Sequence, residues 1–103
     1  ARAAKVVEAM RAHPDLIRGP GAPDTELMRS QPGWIAKGGA EGLLCAAGPD
    51  RLGIALKVED GGARAVGPAV AAFLGRLGHP LDELASAPVA NSRSEIVGEI
   101  RAD

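Results

Sequence analysis

Residues 32–42 read Pro-Gly-Trp-Ile-Ala-Lys-Gly-Gly-Ala-Glu-Gly, which places one lysine and four glycines between two apolar, strand-like segments. Glycine has no Cβ, so its backbone can bend sharply or lie close to a ligand. Lys37, held on a strand beside such glycines, is therefore a candidate for moving protons or stabilising an oxyanion. The alternative on spacing alone is a tight hairpin with a solvated lysine, because lysines are common at hairpin ends.

Outward from this stretch, short apolar segments separated by turn residues predict three strands, over residues 34–37, 42–47 and 54–58. In the third strand the larger apolar side chains share one face, and Lys57 lies on the other. Connections this short cannot form parallel crossovers. The three strands are therefore predicted to form an antiparallel meander.

Two segments carry the spacing of an amphipathic helix. Apolar side chains recur at i, i+3, i+4 and i+7 across residues 3–10, and Pro14 ends that helix because the residue before a proline is disfavoured in the α region. Across residues 66–77 they recur at i, i+4, i+7, i+8 and i+11, with Gly78 at the C-terminal end. We expect this second helix to pack on one face of the sheet.

The remaining segments are rich in turn residues. Residues 18–24 are predicted as a long turn, with Asp24 as the N-cap of a brief helical turn over residues 25–28. Residues 79–94 are again turn-rich, and residues 95–100 are predicted as a last strand at the margin of the sheet. The sequence thus predicts an α+β fold, an antiparallel sheet with covering helices.

The composition indicates one small domain and excludes several classes of protein. A chain of 103 residues with 46% hydrophobic residues can bury a modest core. A net charge of −1 gives no electrostatic reason to bind nucleic acid or an anionic membrane, and no apolar run approaches the roughly 20 residues of a membrane-spanning helix. The single cysteine, Cys45, is expected to pack within an apolar strand, and alone it forms neither a disulfide nor a metal site. With no signal segment either, the expected location is the cytoplasm.

Five short motifs follow one another between residues 4 and 101. In chain order they are Ala9-Met10…His13-Pro14, Gly19-x-Gly21…Asp24-Thr25-x-Leu27-Met28, Ala36-Lys37-x-Gly39-Ala40-Glu41-Gly42, Gly53-Ile54-Ala55-Leu56-Lys57-Val58-x-Asp60-Gly61 and Val97-Gly98-Glu99-Ile100-Arg101. Together, in this order, they resemble the bacterial asparaginase II family. That family has a serine β-lactamase-like fold and is unrelated to the threonine-dependent bacterial asparaginases.

The resemblance implies that residues 1–103 are a single partial domain, the C-terminal third of an asparaginase II-like hydrolase with a three-layer fold. Such an enzyme converts asparagine to aspartate and ammonia by a serine–lysine mechanism with a covalent acyl-enzyme. The family's nucleophile is a serine in a Ser-x-x-Lys element near the N-terminus. No Ser-x-x-Lys occurs here, so no serine is assigned as catalytic and the fragment alone is expected to be inactive.

The resemblance places Lys37 where serine β-lactamases and penicillin-binding proteins carry the lysine of their Lys-Thr-Gly strand. There the ammonium relays protons and holds negative charge beside the nucleophile, so Lys37 is predicted to be catalytic. Gly38 and Gly39 would let substrate lie along this strand; the alternative is a two-residue hairpin turn, and both roles can coexist. Glu41 either binds the substrate's α-amino group or forms a structural ion pair with Lys37 or Lys57, and we favour the ion pair.

Asp24 and Thr25 precede the lysine strand and are predicted to bind polar groups of the substrate, although helix capping is the simpler explanation. Many relatives carry an arginine after the second glycine of this loop, where this chain has Ala22. If that arginine binds a substrate carboxylate, the chain has lost the contact or supplies it from Arg18.

Other interpretations stay open. A serine hydrolase of another amide, such as glutamine, would use the same residues, because one methylene separates the two substrates. A truncated module that catalyses nothing is the non-enzymatic alternative. Some relatives bind zinc through cysteines, but those positions fall outside this segment, so no cofactor is predicted from it. The expected partner is a small amino-acid amide, and the residues also allow a homodimer.

Overall fold

A three-stranded antiparallel meander lies at the centre of the structure, a computed structural model that describes residues 2–103. The middle strand is β2, and the three strands are β1 (Ile35–Gly39), β2 (Leu43–Ala47) and β3 (Gly53–Lys57). In the register of the sheet, Lys37 lies opposite Cys45, and Cys45 lies opposite Ala55. The strand order and the antiparallel pairing confirm the predicted meander.

The connection between β1 and β2 is a three-residue loop that begins after Gly39. Glu41 and Gly42 both have positive φ angles, 61° and 73°. A Cβ on Gly42 would lie 2.8 Å from the Cβ of Val58, so the turn needs glycine here for space as well as for conformation. Gly38 and Gly39 belong to β1 itself. Their interpretation as a two-residue hairpin turn is therefore wrong.

Three α-helices flank the meander: α1 (Arg2–Ala12), α2 (Pro23–Ser30) and α3 (Val66–Arg76). The first and third confirm the two predicted amphipathic helices. Gly78 follows α3 with a φ angle of 88°, the left-handed conformation that glycine adopts readily at a helix C-terminus. None of the helices in the described part of the chain combines the length and the apolar character that a bilayer crossing requires.

The start of α2 differs from the prediction. The helix begins at Pro23, Ala22 takes the N-cap position, and no side chain caps it. Proline suits the first helical position because the N–H that it lacks would have no partner within the helix. Asp24 is the second residue of the helix, so the prediction that it is the N-cap is wrong. Its carboxylate still lies in the first turn, where the helix dipole favours negative charge.

The inner face of the meander packs against α2 and α3, as predicted for α3. Ala36 of β1 and Leu44 of β2 point to this face and are each 2% exposed. They belong to one apolar cluster with Leu27 of α2 and Leu74 of α3, which are both fully buried. Because α2 follows the turn-rich segment 18–22 and precedes β1, this packing brings that segment towards the edge of the sheet.

The outer face of the meander is exposed over much of its area within residues 2–103. Lys37, Cys45 and Lys57 all lie exposed on this side. Cys45 points outward because side chains alternate along β2, which reads exposed, buried, exposed, buried, exposed. The prediction that Cys45 packs within the interior is therefore wrong.

A second, two-stranded antiparallel sheet follows α3 and consists of β4 (Ser86–Ala90) and β5 (Ile96–Arg101). The strand predicted over residues 95–100 is confirmed as β5, but its place at the margin of the meander is wrong, because it pairs with β4. β4 lies inside the segment predicted to be turn-rich. Its Pro88 cannot donate a ladder hydrogen bond, which is why the sequence does not read as a strand there.

Candidate active site

Gly38 lies on the unpaired edge of the meander. Among residues 2–103 no strand pairs with the outer edge of β1. In an antiparallel ladder, alternate residues direct both their N–H and their C=O away from the partner strand. Gly38 is of this kind, because its N–H donates to the Oδ2 of Asp24 at 3.0 Å and its C=O accepts from the Nζ of Lys37 at 2.6 Å. Two side chains of opposite charge thus bind the backbone N–H and C=O of this one residue.

Asp24 reaches Gly38 from the first turn of α2. The residue is 1% exposed, so its carboxylate is removed from solvent and hydrogen-bonded to the strand. A buried carboxylate needs such partners, because burial without them is costly. Its neighbour Thr25 is fully buried, and its hydroxyl donates to the carbonyl oxygen of Pro14 at 3.4 Å. The carboxylate of Asp24 therefore binds the strand, whereas the hydroxyl of Thr25 binds the segment before α2.

Arg18 lies on the side of Gly38 that a side chain would occupy. A Cβ built on Gly38 would be 2.9 Å from Nη1 of Arg18 and 3.3 Å from Oδ2 of Asp24. These residues line a cleft of about 60 Å³, which also borders Gly39 and Gly42. The absence of a side chain at Gly38 thus leaves the space in which the guanidinium lies. None of the ion pairs within residues 2–103 involves Arg18.

We call Arg18, Asp24, Lys37 and Gly38 the Gly38 site. It combines a guanidinium, an ammonium, a buried carboxylate and a backbone peptide at one strand edge. Sequence reasoning selected three of these residues for a site and left Arg18 as an alternative; the structure brings all four together. The hydrogen bond between Asp24 and Gly38 was not predicted from the sequence.

Glu41 and Gly39 lie beside this site rather than within it. Glu41 is exposed in the β1–β2 loop, and no described ion pair includes its carboxylate. The predicted ion pair with Lys37 or Lys57 is wrong, since the Nζ of Lys57 donates instead to the main-chain oxygens of Glu41 and Val58. A Cβ on Gly39 would lie 2.9 Å from Cδ2 of Leu43, so close cross-strand packing accounts for this glycine.

The part of the chain that the structure describes brings together neither the ligands of a metal site nor a serine at the cleft. Residues 2–103 contain no group of three or more His, Cys, Asp or Glu side chains placed to hold a metal ion. None of the four serines lines the cleft at the Gly38 site. The donors present here do not fit zinc, so no chemistry is assigned to a metal in this part of the chain.

Comparison with known proteins agrees with the sequence motifs. The family model described as L-asparaginase II matches residues 1–102, nearly the whole chain. A search of curated proteins finds no match. Because the family match covers well over half of the sequence, the chain belongs to the L-asparaginase II family.

Proposed function

We propose that this chain is the C-terminal part of a serine amidohydrolase that converts asparagine to aspartate and ammonia, with Lys37 in its catalytic machinery. Membership of the L-asparaginase II family suggests asparaginase-like activity. The observation that carries the proposal is the position of the Lys37 ammonium, at the carbonyl of Gly38 on an unpaired strand edge. An ammonium there is available to a nucleophile brought to that edge from another part of the protein.

The proposed reaction proceeds in two steps. A serine hydroxyl from outside residues 1–103 attacks the carbon of the side-chain amide, and its proton passes to the catalytic groups. The tetrahedral intermediate then collapses, the carbon–nitrogen bond breaks, and ammonia leaves with a proton, which gives the acyl-enzyme. Water hydrolyses the ester in the second step and releases aspartate. Lys37 relays protons in both steps and offsets the negative charge of the intermediates.

In the same proposal, Arg18 binds the α-carboxylate of the substrate. Its guanidinium lies in the cleft beside Gly38 and has no ion-pair partner within residues 2–103. The planar fork of a guanidinium matches the two oxygens of a carboxylate. Arg18 would thus replace the arginine that many relatives carry where this chain has Ala22.

The remaining substrate contacts are proposed from the strand edge and the adjacent loop. Gly38 and Gly39 present backbone along which a small amino-acid amide can lie. The exposed carboxylate of Glu41 is free to bind an α-ammonium group, because no described ion pair engages it. Direct substrate contact by Asp24 and Thr25 stays a prediction, and both are at most 1% exposed.

The test is ammonia release from asparagine by the full-length protein, compared between Lys37→Ala and Lys57→Ala. Both lysines are exposed on the outer face of the meander, so the second variant controls for the loss of one surface lysine. We expect Lys37→Ala to lower kcat by about 10²–10⁴-fold, the usual effect of losing an acid–base group. Lys57→Ala should keep nearly full activity.

Three outcomes separate the alternatives. If both variants keep wild-type activity and an unchanged circular dichroism spectrum, Lys37 is not catalytic. If the wild-type protein hydrolyses glutamine but not asparagine, the proposed serine–lysine mechanism stands and the proposed substrate is wrong. A wild-type protein that releases ammonia from neither amide would contradict the proposed function.

A further inference from the structure

The buried carboxylate of Asp24 contacts the lysine strand through its backbone and not through the lysine itself. It accepts the N–H of Gly38 at 3.0 Å, while the C=O of the same residue accepts the Nζ of Lys37 at 2.6 Å. No described ion pair joins Asp24 to Lys37 or to Arg18. The carboxylate and the ammonium are thus linked through a single glycine residue.

This arrangement matters because β1 has no partner on this edge within residues 2–103. The backbone groups of an unpaired edge strand are otherwise open to water, and the strand can twist or fray there. A glycine adds freedom, since no side chain restricts its backbone. The hydrogen bond from Gly38 to Asp24 supplies the constraint that a neighbouring strand would give. Because Asp24 sits in the first turn of α2, the constraint is tied to a packed helix.

We propose that Asp24 is the positioning residue for Lys37: by holding the N–H of Gly38 it restrains the backbone of this residue at the strand edge, and the carbonyl of the same residue in turn holds the ammonium. The proposal rests on the function proposed above for Lys37. It assigns Asp24 a role distinct from capping its helix and distinct from touching the substrate.

The test uses the full-length protein with Asp24→Ala, Asp24→Asn and Val70→Ala. The alanine variant removes the acceptor, whereas asparagine keeps an acceptor oxygen and loses only the charge. Val70→Ala is the control for a general loss of packing, because Val70 is fully buried in α3 and takes no part in the Gly38 site. Three quantities are measured: hydrogen exchange of the Gly38 amide, kcat for asparagine and KM for asparagine.

We expect Asp24→Ala to speed exchange at Gly38 and to lower kcat by about 10–100-fold, the effect of removing a hydrogen bond to a charged group. KM should change little if Asp24 acts through Gly38 and not on the substrate. Asp24→Asn should retain both slow exchange and most of kcat. Val70→Ala should leave Gly38 exchange and kcat as in the wild type.

Several results would overturn the proposal. Slow exchange at Gly38 in Asp24→Ala would show that the carboxylate does not hold this edge. A rise in KM with unchanged kcat would make Asp24 a substrate-binding residue. An Asp24→Asn variant that keeps slow exchange but has lost kcat would show that the charge itself acts in the reaction. If Asp24→Ala does not fold, Asp24→Leu takes its place with the same expected results, because leucine fills the buried position and also lacks an acceptor oxygen.

Failure of the proposed function gives a different result. If the wild-type protein is inactive on asparagine, kcat and KM cannot be compared between the variants. Exchange at Gly38 would still respond to Asp24→Ala if the carboxylate holds the edge. The positioning of the strand and the identity of the reaction are thus tested separately.

Discussion

The three-stranded meander and the β4–β5 hairpin are both built from short antiparallel strands, yet only the meander has a well-covered face. Alternate residues of β2 are buried beneath the helices, whereas Ile96 and Val97 of β5 are 66% and 63% exposed. A two-stranded hairpin is marginally stable by itself, because it buries little apolar surface. We therefore expect the meander and its helices to carry most of the folding free energy, and also the rigidity of the Gly38 site.

The largest expected effect compares equivalent truncations in the two regions, Leu74→Ala in α3 and Ile96→Ala in β5. Leu74 is fully buried in the core cluster. Its truncation should lower the free energy of unfolding by about 2–5 kcal/mol, since it loses buried area and leaves a cavity. Ile96→Ala should cost at most about 1 kcal/mol, the range of strand propensity on an exposed face.

Urea denaturation followed by circular dichroism measures both variants. Similar losses from the two substitutions would contradict the comparison, because they would place the hairpin in the same cooperative core as α3. A lower slope of unfolding free energy against urea for Ile96→Ala would point to separate unfolding of the hairpin.

A smaller effect is expected from adding one methyl group to a glycine in each region. In the meander, Gly42→Ala would place a Cβ 2.8 Å from that of Val58, at a φ angle of 73°. We expect a loss of about 1–3 kcal/mol, the cost of a strained backbone conformation with crowding. In the hairpin, a Cβ on Gly98 meets nothing within 4 Å.

Gly98→Ala should therefore be neutral or should stabilise by about 0.4–1 kcal/mol, because alanine restricts the unfolded chain more than glycine does. Thermal denaturation of the two variants gives the comparison directly. A destabilised Gly98→Ala would mean that β5 packs more closely than its exposure indicates. An unchanged melting temperature in Gly42→Ala would show that the β1–β2 loop relaxes easily.

Local patterns in the sequence predicted the meander and two of the helices, because each depends on residues close together in the chain. They did not predict β4, where Pro88 obscures the strand, nor the pairing of β5, which depends on where the chain returns after α3. The exposure of Cys45 was also not predicted, for a different reason. β2 reads Leu-Leu-Cys-Ala-Ala, so it has no polar residue to mark its outer face.

The candidate site divides in the same way. Lys37 and Gly38 stand out in the sequence because the lysine and the glycines lie together between two apolar strand-like segments. The hydrogen bond from Gly38 to Asp24 joins residues 14 apart and depends on how α2 packs against β1. The position of Arg18 beside Gly38 depends on the same packing, and no motif within the chain specifies it.

The smallest expected effect concerns the turn after β3, where Asp60 pairs with Arg64 and accepts the N–H of Gly62 at 2.9 Å. The hydrogen bond from Arg64, and then that from Gly62, hold the pKa of Asp60 below its ordinary value of 3.8. A lowered pKa in the folded state means that the pair stabilises the fold above pH 3.8 and loses this contribution as the pH falls through the folded-state pKa.

Arg64→Gln should therefore be slightly less stable than the wild type at neutral pH, and the two should converge in acid. The matched control is Arg93→Gln in the β4–β5 connection, because no described ion pair includes that arginine. Unfolding free energies measured from pH 7 down to about pH 2, well below the ordinary pKa of an aspartate, give the comparison. A gap that persists unchanged in acid would assign the effect of Arg64 to packing of its side chain. An equal effect from Arg93→Gln would show that the loss of any surface arginine, and not the loss of the pair with Asp60, explains the change in stability.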